Sequence, residues 1–119
     1  MPKIVRRGEF YWADWAPGRG SEQTGVRPVL VVQNDTGNRY GNTTIVAACT
    51  TVPTKPYPFV LLVTEKESGL PKGSSINLSA ILTIDKSRLG DKCGELTPPK
   101  MAEVDIALMR SLGLNRFIP

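Results

Sequence analysis

Arg27 stands at the start of an apolar run, Val26-Arg27-Pro28-Val29-Leu30-Val31-Val32, and Thr50-Thr51 closes another, Ile45-Val46-Ala47-Ala48-Cys49. Pro28 fixes its own φ and biases the residue before it toward an extended conformation, so Arg27 carries its guanidinium on a rigid support. That planar fork can hold a phosphate through two parallel hydrogen bonds. A hydroxyl at a strand end supplies a hydrogen-bond or proton-relay partner, and Lys55 a further cation, so the three could bracket a phosphate. Each also has an ordinary reading. Arg27 could pair with Glu22 or Asp35, and a threonine at a strand end is common β chemistry.

The chain has no histidine, which takes away the usual general base at neutral pH and the commonest metal ligand together. Cys49 and Cys93 form no CxxC pair, so zinc-ribbon and thioredoxin-like readings are not supported. Two reduced, mostly buried thiols are expected in a cytoplasmic protein. The glycine-rich stretch 17–25 is not followed by Gly-Lys-Ser/Thr and leads into a strand, which argues against a nucleotide cofactor. A net charge of +4 and a pI near 9.3 attract polyanions only modestly and do not select a partner. Ser74, Ser75, Asn77 and Ser79 form a polar series, followed by Asp85-Lys86-Ser87-Arg88. Phe10, Tyr11, Trp12, Trp15 and Tyr57 could stack on bases, although aromatic residues in a short chain usually build the core. Asp35-Thr36-Gly37 resembles an aspartic-protease triplet but occurs once and reads as part of a loop over 34–42.

These groups need a scaffold, and 119 residues with 40% hydrophobic and 22% charged content suit one folded domain spanning 1–119. Short apolar runs alternating with Gly, Pro, Asn and Asp clusters predict a small antiparallel β barrel with strands over 8–15, 29–33, 43–50, 59–64, 74–78 and 81–84. In the first strand Phe10, Trp12 and Asp14 share one face and Glu9, Tyr11 and Ala13 the other, so both faces must be covered. Met101, Val104, Leu108 and Leu112 fall at helical spacing. Thr97 is placed to cap this amphipathic helix, Pro98 and Pro99 fit its first turn, and Gly113 fits its end. No run of about 18 apolar residues occurs, and the basic opening Lys3, Arg6, Arg7 leads to Gly8-Glu9 and not to an apolar segment, so a cytoplasmic protein without membrane contact is expected.

In this order and spacing, Arg7-Gly8-Glu9, Tyr11-Trp12-Ala13-Asp14, Gly20-Ser21-Glu22-Gln23, Gly25-Val26-Arg27-Pro28-Val29-Leu30-Val31 and Gln33-Asn34-Asp35 resemble the N-terminal signature of the MazF/PemK-type toxins of bacterial toxin–antitoxin systems. Cys49-Thr50-Thr51, Tyr57-Pro58-Phe59, Thr83-Ile84-Asp85-Lys86 with Arg88-Leu89, and the C-terminal helix extend the likeness over nearly the whole chain.

The resemblance implies a mainly β, SH3-like barrel with short helices. It also implies a homodimer that cuts single-stranded RNA, commonly messenger RNA, without metal or other cofactor, leaving a 2′,3′-cyclic phosphate and a 5′-hydroxyl. A cognate antitoxin would hold it inactive. Arg27 matches the family's catalytic arginine and Thr50 its catalytic threonine, while Ser21 and Glu22 match loop positions implicated in substrate contact or catalysis in some members and are given supporting roles. Gln23, Thr51, Lys55, Asn77 and Ser79 complete the expected substrate-binding set. Some relatives carry an acidic residue or an arginine in the segment before Thr83, where this chain has Asn77, Ser79, Ala80 and Leu82, so no carboxylate acid–base partner transfers there. Base-reading contacts are expected in the variable loops 51–57 and 65–72. Two other readings compete: a toxin of the same fold that poisons DNA gyrase, and a noncatalytic SH3-like interaction module.

Overall fold

A computed structural model describes residues 4–14, 25–51 and 55–119. Six strands, β1 (Glu9–Asp14), β2 (Val26–Val31), β3 (Thr43–Thr50), β4 (Val60–Val63), β5 (Ser74–Asp85) and β6 (Leu89–Glu95), pair antiparallel in the order β4-β5-β3-β2-β1-β6. Helix α1 (Asp35–Tyr40) links β2 to β3, α2 (Glu65–Ser68) links β4 to β5, and α3 (Pro98–Ser111) follows β6. The result is the expected mainly β architecture, one curled sheet forming a half-barrel with short helices and a C-terminal helix.

Both sheet faces are covered, as the alternation in β1 requires. Phe10 lies in one core with Leu30, Ala47, Cys49, Ile76 and Leu78, and α3 closes that core with Val104 and Ala107. Tyr11 and Ala13 lie in the other with Val29, Val31, Val46 and Ile84. Val29, Leu30 and Val31 are fully buried because β2 sits mid-sheet with apolar side chains on both sides.

The strands at the two edges of the sheet approach each other through α2. A methyl group on Gly69, whose φ is +79°, would collide with the Cys93 carbonyl oxygen on β6. One on Gly94 would stand 2.5 Å from the Ser68 carbonyl oxygen. Bare backbone on both sides therefore brings the segment after β4 against β6 and curls the sheet. A capping box starts α2: the Thr64 hydroxyl accepts from the Glu67 N–H while the Glu67 carboxylate accepts from the Thr64 N–H.

An ion pair between the buried Glu9 and the exposed Lys92 ties β1 to β6. Glu9 Oε2 lies 2.9 Å from Lys92 Nζ, and Glu9 Oε1 accepts from the Tyr11 hydroxyl and the Arg6 N–H, each at 2.8 Å. Burial pushes the Glu9 carboxyl up, but Lys92, the Arg6 N–H and the Tyr11 hydroxyl together outweigh it and hold the pKa below the usual value. Burial and the Glu9 charge push the Tyr11 phenol far up.

Several expectations change. The stretch over 34–42 is not a simple loop: Asn34 accepts the Gly37 N–H at 2.7 Å and starts α1, so Asp35-Thr36-Gly37 is its first turn. The strands expected over 74–78 and 81–84 are one strand, β5, whose pairing with β3 skips three residues between Asn77 and Ile81. Within 65–72 lies α2, and β6 is an additional strand. Thr97 occupies the N-cap position of α3 without a side-chain capping bond, since Pro98 and Pro99 offer no N–H in the first two helical positions. Leu112, the last member of the expected apolar stripe, is 53% exposed. Gly113, at φ +74°, ends the helix as expected, with the Leu114 N–H donating to the Met109 carbonyl at 2.7 Å. Both cysteines are free, Cys49 buried and Cys93 half-buried.

Gly69→Ala should destabilise the fold by about 2 kcal/mol or more, measured by urea unfolding, because the new methyl meets backbone that cannot rotate away. For Glu9, a folded-state pKa below the unfolded one means stabilisation that is complete above the ordinary carboxylate range and disappears as pH falls through the folded value. Glu9→Gln should therefore lower stability at pH 7 by about 1–3 kcal/mol and flatten the loss of Tm between pH 5 and pH 3.

Candidate functional site

The site begins with a register. Val29 faces Ala48 and Leu30 faces Ala47 across the β2–β3 ladder. Continued by two residues, that register sets Arg27 level with Thr50. Strand alternation puts both on the face of Val29, Val31 and Val46, because Leu30, Ala47 and Cys49 fill the opposite core. Pairing between β2 and β3 begins at Val29, one residue beyond Pro28, which has no N–H to give. Arg27 and Thr50 thus lie just past the hydrogen-bonded ladder, on rigid strand ends. Both are half-buried.

Asp35, one of the two expected structural partners, does not pair with Arg27. Asp35 instead accepts from the Arg7 N–H at 2.7 Å and from Asn38 Nδ2 at 3.2 Å, and Glu22 lies outside the described residues. Among the described residues Arg27 has no ion pair.

On the other side of β3, the β5 register extends this polar face. Thr50 pairs with Ser75 and Ala48 with Asn77. Ile76 and Leu78 fill the core under α3, which turns Ser75 and Asn77 toward the face of Thr50. Arg27, Thr50 and Ser75 consequently form one row across β2, β3 and β5, with Asn77 about 7 Å along the strand in the next row. Ser75, only 2% exposed, was part of the polar series but not of the expected site. Its two-residue spacing from Asn77 was the available signal, and only strand pairing could place it opposite Thr50.

Ser79 belongs to the residues that β5 carries beyond the β3 register. Its N–H and its hydroxyl both donate to Asn77 Oδ1, at 3.0 and 2.6 Å. Thr51 and Lys55 are exposed at the end of β3 and in the segment leading to β4. Ser21 and Gln23, like Glu22, lie outside the described residues. Of the aromatic residues considered for stacking, Phe10 and Tyr11 are buried core and Trp12 packs partly against it. Tyr57 is half-exposed and stacks on Phe59, with ring centres 5.2 Å apart and planes 6° from parallel. Trp15 lies outside the described residues.

The polar row runs from half-buried Arg27 and Thr50 to buried Ser75. A hollow of about 940 Å³ lies at the other end of the sheet, among Ile4, Asn38, Tyr40, Asp85, Lys86 and neighbouring residues, and includes neither Arg27 nor Thr50. Beside the row, the Cys49 thiol is pushed far up by burial, with a smaller contribution from Cys93, which makes it part of the core and not a nucleophile. Among the described residues no three His, Cys, Asp or Glu side chains gather as a metal centre would require. A cation and a hydroxyl held on adjacent strand ends, with a half-buried carboxamide in the next row, make a surface suited to a phosphodiester and the groups around it.

Comparison with known proteins gives the same direction. Over 115 residues, 96% of each chain, the sequence is 50% identical to a Staphylococcus epidermidis protein named Endoribonuclease MazF. A structure titled as an endoribonuclease in complex with its cognate antitoxin from Mycobacterial species superposes with a TM-score of 0.78 at 29% identity, covering 92% of this chain and 96% of that one. An endoribonuclease from Mycobacterial species superposes with a TM-score of 0.79 at 27% identity, covering 98% and 97%. Residues 6–112 match the family described as PemK-like, MazF-like toxin of type II toxin-antitoxin system, and the chain belongs to that family.

Proposed function

We propose that this chain cleaves single-stranded RNA, messenger RNA above all, at the face carrying Arg27 and Thr50, and that it does so as the toxin of a type II toxin–antitoxin pair. It is an endoribonuclease. The observation that carries the reading is the register placing a guanidinium without an ion-pair partner among the described residues level with a hydroxyl on one face. The 50% identical relative named Endoribonuclease MazF supports the same activity.

The reaction needs little from the protein beyond alignment and charge. The ribose 2′-oxygen attacks the adjacent phosphorus as its proton departs, the phosphorus–5′-oxygen bond breaks, and the leaving oxygen takes up a proton. The products are a 2′,3′-cyclic phosphate and a 5′-hydroxyl. Arg27 stabilises the charge that builds on the nonbridging oxygens and assists proton transfer, and Thr50 hydrogen-bonds the reacting phosphate. The nucleophile belongs to the substrate, so a chain without histidine can carry out this chemistry with no metal or other cofactor. Ser21, Glu22, Gln23, Thr51 and Lys55 hold the flanking RNA, and Asn77 and Ser79 line the same face.

The active unit is a homodimer working in the cytoplasm. Among the described residues no helix is long and apolar enough to cross a membrane. A disordered, acidic antitoxin segment folds onto the dimer and blocks the RNA face, in line with the relative solved with its cognate antitoxin.

Digestion of a long RNA in EDTA, with sequencing of fragment 5′ ends, should give discrete cuts. Intact RNA together with inhibition of DNA gyrase would replace this reading with that of a gyrase poison. Arg27→Ala should fold normally and lose about 100- to 1,000-fold in single-turnover cleavage, and Thr50→Ala should also slow it strongly. A parent-like rate in either variant would remove that residue from the mechanism.

A further inference from the structure

The Asn77 carboxamide lies one row from Thr50 with half of its hydrogen-bonding capacity already committed. Its Oδ1 accepts the Ser79 N–H at 3.0 Å and the Ser79 hydroxyl at 2.6 Å, which fills both lone pairs. A backbone N–H can only donate, so the atom facing it must be the amide oxygen, and the orientation of the side chain is fixed. Nδ2 remains, carrying two N–H donors. Asn77 is half-buried, flanked by the small Ala48 on β3 and by Val60 on β4. The skip in the β5 register supplies the clamp, since it frees Ser79 from pairing with β3 and lets it fold back on residue 77.

We propose that Asn77, clamped by Ser79, is a donor-only reader that selects bases with a carbonyl where adenine and cytosine carry an exocyclic amine, uracil through O4 or guanine through O6, at a position beside the cleaved bond. The inference rests on the nuclease reading and assigns the specificity of that same face. An asparagine reads adenine by donating to a ring nitrogen while accepting from the exocyclic amine. With its oxygen taken, Asn77 cannot accept, and the amines of adenine and cytosine meet a second donor in place of an acceptor. A carbonyl oxygen meets the donor it needs. Ser79 acts through Asn77 as a positioning residue.

The test is the base profile around cuts in a random-sequence RNA pool, read by sequencing fragment 5′ ends for the parent and three variants whose folding is checked by thermal melting. The parent should favour uracil or guanine at one position flanking the cut. Asn77→Ala should flatten that position, with a loss of about tenfold in discrimination. Asn77→Asp, which offers only acceptors, should turn the preference toward cytosine and adenine. Ser79→Ala frees one lone pair on Oδ1 and should add adenine to the accepted bases, a change that loss of a merely structural contact would not produce. Folded Asn77→Ala and Asn77→Asp variants whose profiles match the parent's at every position, whatever their rates, would overturn the proposal. Should the parent cut no RNA, the nuclease reading fails and base selection is read from binding of fluorescent oligouridine and oligoadenosine. A preference for oligouridine that Asn77→Ala abolishes would uphold the donor-only reader, and equal binding by the parent would overturn it.

Discussion

The register of β2 on β3 is the constraint on which the site depends. Side chains alternate between the two faces of a strand, so sliding β2 by one residue would turn Arg27 into the core under α3 and turn Leu30 away from it. The two cores prevent that slip. Leu30 fits among Phe10, Ala47 and Leu78, while Val29 and Val31 fit among Tyr11, Val46 and Ile84. Hydrophobic burial on both faces thus fixes the position of a half-buried cation at the strand end, and Pro28 ends the β2–β3 ladder beside it.

The rest of the fold maintains that arrangement. Contact between Gly69 and β6 curls the sheet, and the Glu9–Lys92 pair joins β1 to β6. Arg7 connects three elements: its backbone N–H donates to Asp35 in α1, and its guanidinium reaches the Val32 carbonyl after β2 and Asp105 in α3. Asp35 is thereby occupied in holding the scaffold and is not spent on Arg27.

How much of this could be read from the sequence followed from the strength of each local signal. Strands with clean alternation or continuous apolar runs, β1, β2 and β3, were visible because burial on both faces dictates residue type. Edge strand β6, Leu89-Gly-Asp-Lys-Cys-Gly-Glu95, carries charges and glycines suited to an edge and lacked a strand signature. The glycine in Asp35-Thr36-Gly37 concealed α1, although Asn34 supplies its cap. Thr64 and Glu67 carry the capping-box spacing of α2, a signal available in the sequence but short. Arg27 and Thr50 were identifiable as candidates by residue type and resemblance, but their shared row, and Ser75 within it, depend on pairing between strands distant in sequence.

The three-residue skip in β5 has a bearing on how such a protein can change. On one side of it Ile76 still meets Cys49, and on the other Ile84 still meets Thr44, so the two halves of the strand are anchored independently. Leu78 is fully buried, but substitutions at Ser79 and Ala80 would be absorbed locally, with both anchors kept. That short stretch can thereby vary while Arg27 and Thr50, held by the β2 and β3 registers, stay where they are.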